Sequence, residues 1–279
     1  MKIKGLFVRL LLVSILFGST IACCYGQQSK SYNTIASLFT TPEGYERMYV
    51  NNDYAYATWL VSHPLKDNPQ VLYFDGQVKH NNNIYAAVFD YEIGDRDLHH
   101  CADAAIYLRA SYNYSSGPEF YDRLKFTFTN GFVSSYTEWL RGAIYNLINN
   151  GRDIKVSYGR KRQDNCKTFR QWLDQVFSYA GTWSIEQYDL EPISIVDIEP
   201  GDVFVQGGFP GHAVTVVDVA IDSKGHKVFM LAQSYMPAQE QHILLNPATG
   251  DVWYSAYGWN FLSTPEYTFE SKDLYRWKN

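Results

Sequence analysis

A glycine-rich turn that leads into a β-branched run is the feature that most constrains this fold. Residues 201–214 read GDVFVQGGFPGHAV, and the apolar run continues to Ala220. The glycines separate two apolar stretches, which predicts a strand, a close turn and a second strand that begins near His212. A histidine held at the start of a strand is a candidate general base, and such a base needs a nucleophile.

The best candidate nucleophile is Cys101, within LHHCADAAI at residues 98–106. Asp95 or Asp97 can cap a helix that runs to about Tyr112, because apolar residues recur there at spacings of three and four. Cys101 would then lie in the first turn, where free N–H groups and the helix dipole lower a thiol pKa from about 8.5.

The hairpin that follows His212 supplies a third polar group, because it turns at residues 222–225, which read DSKG. A four-residue turn brings Gln233 to the face of His212, whereas a three-residue loop brings Ser234 there. We expect Gln233 to orient the histidine ring, as the third member of a cysteine–histidine site does.

The same residues also allow purely structural interpretations. Cys101 can be a small buried thiol, and His212 can be a structural histidine bonded to turn carbonyls. Cys166 begins another predicted helix that ends at Tyr179. In an oxidising compartment Cys166 is either a rival nucleophile or a disulfide partner of Cys101.

The two histidines before Cys101 invite two further hypotheses. His99 or His100 is a candidate oxyanion donor beside the backbone N–H of Cys101. A metal site is disfavoured, because adjacent histidines on a helix diverge by about 100° and do not chelate together. We therefore predict neither a metal site nor a cofactor.

The N-terminus predicts export. Basic residues precede an apolar run and then small residues, which is the pattern of a secretory signal peptide spanning residues 1–26. An imperfect lipobox, TIAC at residues 20–23, makes Cys23 an alternative lipid anchor. A polar, turn-rich tether is expected over residues 27–44, followed by one α+β domain over residues 45–279.

Patterns along that domain divide it into three parts. An N-terminal β region is expected from Tyr49 to Ile93, including a strand over residues 55–60. The middle is predicted to be helical, with one helix near residues 135–148 and another from Cys166 or Lys167 to Tyr179. The C-terminal part is again β, and a monomer is expected.

The composition limits the classes of molecule that this protein is expected to bind. The net charge of −5 argues against nucleic acid, which favours basic surfaces. Aromatic residues make up 16% of the chain, with 23 Tyr and 7 Trp, a content that suits either an aromatic core or a surface that meets sugars and peptides.

Two family resemblances follow from these motifs. The Gly-Asp and Gly-His segments of residues 201–214 resemble those of NlpC-type and CHAP-type cysteine peptidases and amidases, in which this histidine is the catalytic base. Longer motifs resemble an exported family of unknown function from Bacteroides-type bacteria; they are HCADA (100–104), FTNGF (128–132), FSYAGT (177–182) and LAQSYMPAQ (231–239).

The resemblance implies a papain-like, NlpC-like antiparallel sheet with a packed helix that bears the cysteine. It carries Cys101, His212 and Gln233 over to the nucleophile, base and orienting roles. This chain departs from the peptidases by having His100 and Ala102 around the cysteine, where they usually have Asp-Cys-Ser or Asn-Cys.

Two functions are compatible with these observations. The first is a cell-envelope cysteine hydrolase, a peptidase or amidase, acting on an amide bond of peptidoglycan peptide or a related substrate. The second is a non-catalytic surface lipoprotein that binds glycan or peptide through an aromatic groove. Both place the protein in the periplasm or on the outer membrane.

Overall fold

A computed structural model describes residues 33–48, 55–258 and 260–278. Its helices are α1 (Ile35–Leu38), α2 (Ala55–Val61), α3 (Cys101–Ser115), α4 (Tyr136–Leu140), α5 (Cys166–Tyr179) and α6 (Thr182–Ser184). The expected signal peptide and the candidate anchor Cys23 lie outside the described residues.

The strands and these helices form an antiparallel, mixed α/β fold. The strands are β1 (Asn33–Thr34), β2 (Tyr45–Arg47), β3 (Pro64–Leu65), β4 (Tyr85–Val88), β5 (Lys125–Thr127), β6 (Val133–Ser135), β7 (Ala143–Ile148), β8 (Asp153–Tyr158), β9 (Leu190–Pro192), β10 (Val203–Gln206), β11 (His212–Asp222), β12 (Lys227–Gln233), β13 (His242–Leu244), β14 (Tyr254–Ser255), β15 (Phe261–Ser263), β16 (Thr268–Glu270) and β17 (Leu274–Trp277). All strands from β9 onwards follow α6, the last of these helices.

One nine-stranded sheet dominates the fold. Its strand order is β4-β13-β12-β11-β10-β17-β9, with β14 pairing with β12 and β2 pairing with β11. The longest strand, β11, lies at the middle of this order and is buried along most of its length. A strand covered on both faces reads as a continuous apolar run, which explains the valine-rich sequence after His212.

Alternate residues of the central strands pack into two different cores. Val205, Ala213 and Val217 belong to a core that also contains residues of α3 and α5. Phe204 and Val214 belong to a second core that contains Phe269 of β16. Because neighbouring residues of a strand point to opposite faces, α3 and α5 cover one face of the sheet and the β15–β16 hairpin covers the other.

A β-bulge sets the register between β11 and β12. Next to the turn, Ile221 pairs with Lys227, which is the register of the three-residue loop. Continued to the end of the hairpin, this register would bring Ser234 to the face of His212. The bulge at Val217 adds one residue to β11, and beyond it the register shifts by one. Gln233 therefore returns to the face of His212.

The N-terminal region differs from the expected β region. Residues 55–60 belong to helix α2 and not to a strand, because Ala57, Leu60 and Val61 are buried at helical spacing. The expected tether is also partly built into the fold, since Ile35 is fully buried in the core that contains α3. Ordered packing therefore begins before residue 45.

The middle of the chain matches the expectation only in part. Helix α5 has the predicted bounds, and its first turn is capped by the side chain of Asn165, which accepts the backbone N–H of Thr168 at 3.0 Å. The expected helix over residues 135–148 is instead the short helix α4 followed by strand β7.

Candidate functional site

Cys101 is the first residue of α3. His100 caps the helix, because its carbonyl accepts the backbone N–H of Ala104 at 2.9 Å. The carboxylate of Asp103 in turn accepts the N–H of His100 at 2.9 Å. The expected caps were wrong, since Asp97 lies outside the helix and accepts the N–H of Ala238 at 2.7 Å.

Ser234 ties the start of this helix to the sheet. Its Oγ lies 2.6 Å from the carbonyl oxygen of His99 and 2.6 Å from that of Gln239, at the point where β12 ends. The segment before α3 is thereby fixed against the end of β12, which sets where Cys101 meets the neighbouring strand β11.

The Cys101 sulfur reaches β11 directly beside His212. A hydrogen bond from the backbone of Ala213, the next residue, acts on the Cys101 thiol and lowers its pKa against the stronger effect of burial. The ladder between β11 and β12 runs from Thr215 to Ile221, so Ala213 lies beyond its last pair.

His212 and Gln233 make the contact expected from the sequence. The Nε2 atom of His212 lies 2.9 Å from Oε1 of Gln233, and both side chains are 1% exposed. The ring of His212 also packs against Tyr235 and Tyr267, with centroid distances of 4.6 and 5.0 Å. The amide and the two tyrosines hold the ring in one position.

The same two tyrosines lie within the electrostatic reach of Cys101. Burial raises the pKa of Tyr235, and the charges of Glu266 and Cys101 raise it further. Burial and then the charges of Asp273 and Cys101 raise the pKa of Tyr267. Cys101 thus acts electrostatically on both tyrosines that pack against the His212 ring.

Burial keeps both members of the candidate pair neutral. It raises the pKa of Cys101 to about 11 and lowers that of His212 to about 4. The prediction of a depressed thiol pKa was wrong, because the loss of solvation outweighs the N–H groups of the helix start and of Ala213. At neutral pH the site holds a thiol and an uncharged imidazole.

A charged pair stands behind Gln233. The amide Nε2 of Gln233 donates to Oε2 of Glu266 at 2.6 Å. Both carboxylate oxygens of Glu266 lie 2.9 Å from Nζ of Lys79, which is 4% exposed. Sequence reasoning missed both residues, since each lies in an irregular segment far in sequence from Gln233.

The glycine-rich turn makes a close approach to the segment that contains α6. A Cβ at Gly207 would lie 3.0 Å from Cα of Trp183, and one at Gly211 would lie 2.8 Å from the carbonyl oxygen of Gln206. The turn therefore packs on α6 and not on the cysteine helix. Phe209 at its tip is 97% exposed.

The two candidate oxyanion histidines have other partners. His99 is fully buried, and its Nε2 lies 3.1 Å from the hydroxyl of Tyr91. The Nε2 of His100 lies 2.8 Å from the carboxylate of Asp97. Besides Ala213, the backbone N–H groups of Cys101 and Ala102 at the start of α3 act on the sulfur.

The cysteine alternatives are resolved by the bonding state of each residue. Cys101 is a free thiol, whereas Cys166 is in a disulfide. The hypotheses of a Cys101–Cys166 disulfide and of Cys166 as a rival nucleophile are therefore wrong.

Within residues 33–48, 55–258 and 260–278, no group of three or more His, Cys, Asp or Glu side chains is arranged to hold a metal ion. No helix in that part of the chain has both the length and the apolar character needed to cross a bilayer.

Comparison with known proteins gives a family and no activity. No curated protein and no solved structure shows significant similarity to the chain. The family model described as "Domain of unknown function (4846)" matches residues 35–276, which is most of the sequence. The chain belongs to this family, DUF4846.

Proposed function

We propose that this protein is a cysteine hydrolase with a papain-like arrangement of its site, and that it cleaves an amide bond. Cys101 is the nucleophile, His212 is the general base and Gln233 orients the ring. The observation that carries the proposal is the hydrogen bond to the sulfur from Ala213, the neighbour of a histidine whose Nε2 lies 2.9 Å from Gln233.

The neutral resting pair implies a coupled first step. As Sγ attacks the amide carbonyl carbon, Nδ1 of His212 takes the thiol proton, so that the thiolate forms only during attack. The C–N bond then breaks, the amine leaves with that proton, and water hydrolyses the thioester to regenerate the thiol. Backbone N–H groups at the start of α3 stabilise the oxyanion.

The proposed substrate is a peptidoglycan peptide or a related envelope glycopeptide. The signal-like N-terminus supports action in the cell envelope, as an exported periplasmic protein or, through Cys23, as a lipoprotein. Two exposed apolar side chains adjoin site residues in the sequence. Phe209, in the turn before His212, is 97% exposed, and Met236, next to Tyr235, is 57% exposed. Such groups suit the apolar faces of a peptide or sugar.

A binding protein without catalysis is the second candidate. Two observations favour it: Cys101 is only 8% exposed, and the exposed rings of Trp183 and Tyr188 form an edge-to-face pair at 5.6 Å. A pair of this kind can hold a glycan or peptide with no contribution from the thiol.

Release of new amines from isolated peptidoglycan separates the two candidates. The hydrolase proposal predicts release by the wild type, loss of release in Cys101→Ala and His212→Ala, and retention in His226→Ala. His226 is the matched control, because it lies at the other end of the same hairpin and is exposed.

The remaining outcomes favour or exclude each candidate. Peptidoglycan that binds to all four proteins without amine release identifies a binding protein. Release that survives Cys101→Ala contradicts the nucleophile and removes the hydrolase proposal.

A further inference from the structure

The polar groups behind His212 form one connected network in which each proton has a defined position. We propose that Glu266, held by Lys79, is a positioning residue that sets the orientation of the Gln233 amide and, through it, the tautomer of His212. This inference rests on the proposed function for its catalytic meaning, but its geometry is independent of any substrate.

The first step concerns His242, a fully buried histidine on β13. Its Nδ1 lies 2.8 Å from the carbonyl oxygen of Glu240, which can only accept, so Nδ1 carries the proton. Burial lowers the pKa of His242 to about 3, which keeps the ring neutral. Its Nε2 is then a bare acceptor, and it lies 3.5 Å from Nε2 of Gln233.

The second step concerns the Gln233 amide. Its Nε2 faces two acceptors, the Glu266 carboxylate at 2.6 Å and the ring of His242. An amide NH₂ has two protons, one for each acceptor. The reversed amide would set Oε1 against a carboxylate and leave buried acceptors without donors, which is costly.

The third step reaches the candidate base. With Nε2 committed to Glu266 and His242, Oε1 of Gln233 must face Nε2 of His212, at 2.9 Å. That ring nitrogen therefore carries the proton and donates it, which leaves the lone pair on Nδ1. The proposed reaction needs this lone pair to take the thiol proton.

Lys79 keeps Glu266 in place. The Glu266 side chain is 21% exposed and would otherwise be free to turn towards solvent. The Lys79 ammonium lies 2.9 Å from both of its oxygens and 2.7 Å from Oε1 of Gln239, so three acceptors use its three protons. The ion pair therefore holds the Glu266 carboxylate in the position where it accepts a hydrogen bond from Gln233 Nε2.

Ring ¹⁵N chemical shifts of His212 in the folded protein test this inference without any substrate. We expect the wild type to show a protonated Nε2 and an unprotonated Nδ1. In Glu266→Gln the new side chain can present either atom to Gln233, so a mixture of the two tautomers is expected. In Glu270→Gln, the matched control, the wild-type pattern should persist, because the Glu270 side chain is 43% exposed and pairs with Lys272.

A kinetic readout links the tautomer to reactivity. Alkylation of Cys101 by iodoacetamide should be slower in Glu266→Gln than in Glu270→Gln, by about tenfold or more, because the wrong tautomer cannot take the thiol proton. Glu266→Asp, which keeps the charge, should recover part of that loss.

The outcomes separate this inference from the proposed function. A wild-type His212 with its proton on Nδ1, or a Glu266→Gln protein with an unchanged tautomer, overturns the positioning role even if amide hydrolysis is found. The expected tautomers in a protein that releases no amine support the positioning role and contradict the hydrolase.

Discussion

Cys101 and His212 are both buried, and burial moves their pKa values in opposite directions, to about 11 and about 4. The helix start, which by itself favours a thiolate, cannot overcome the loss of water around the sulfur. The sequence indicated the helix start but not the burial, because exposure depends on how α3 packs against β11. For that reason the predicted direction of the thiol shift was wrong.

The charge of Asp103 is a separable part of that shift. After burial, Asp103 is the main group that raises the Cys101 pKa. Asp103→Asn keeps an acceptor oxygen for the N–H of His100 and removes the negative charge, so we expect a lower Cys101 pKa. The thiolate absorbance as a function of pH, taken relative to Cys101→Ala, measures it.

A control carboxylate defines the specificity of this effect. Asp174 lies on α5 and pairs with Arg96 and Arg170, so Asp174→Asn should leave the Cys101 titration unchanged. A Cys101 pKa that stays the same or rises in Asp103→Asn contradicts this electrostatic account.

Elements with a strong period were predicted well, and short apolar runs were not. Helix α5 follows from a stripe of aromatic and aliphatic residues at helical spacing, and both of its ends were predicted. Residues 55–60 carry apolar side chains at almost every position, so the sequence shows neither the helical period of about 3.6 nor the strand period of about 2. The segment forms helix α2, which buries Ala57, Leu60 and Val61.

The contact between His212 and Gln233 was predicted from a register that the turn does not have. The sequence gives no signal for the bulge at Val217, which restores the parity that the shorter turn register would have reversed. Lys79 and Glu266 escaped prediction for a related reason. Only the tertiary fold brings the loop between β15 and β16 and the segment before β4 next to β12.

Across the whole molecule, buried histidines make stability depend on pH. Burial lowers the pKa of His212 to about 4, and that of His63 and His242 to about 3. The folded state keeps these rings neutral, whereas the unfolded chain binds protons below pH 6.5. Their stabilising contribution is therefore complete above that pH and is lost as the pH falls.

Buried carboxylates act in the opposite direction. Burial raises the pKa of Asp218 to about 6, against the opposing effect of Arg47, so the folded state holds its proton over part of the same range. Asp103 also has a pKa raised by burial. Burial likewise raises the pKa of Asp189 and Asp202.

A fourth histidine, His99, is also fully buried, and its pKa is lowered well below its usual value. Between pH 6.5 and 5 the unfolded chain protonates all four histidines, and each contributes up to about 1.4 kcal/mol per pH unit.

We therefore expect the free energy of unfolding, measured by urea denaturation, to fall as the pH is lowered from 6.5 towards 5. Asp218→Asn removes an opposing group and should make the fall steeper. His226→Gln, at an exposed position, should leave the slope unchanged. A free energy that rises or stays constant over this range contradicts the buried, neutral state of these histidines.

The rate at which iodoacetamide alkylates Cys101, followed by peptide mass spectrometry in the wild type and in His212→Ala, tests the central claim most directly. If His212 takes the thiol proton, the substitution should slow alkylation at neutral pH by about 10²-fold or more, with His226→Ala reacting like the wild type. Equal rates in the wild type and His212→Ala would show that the two residues do not form a pair and would contradict the account.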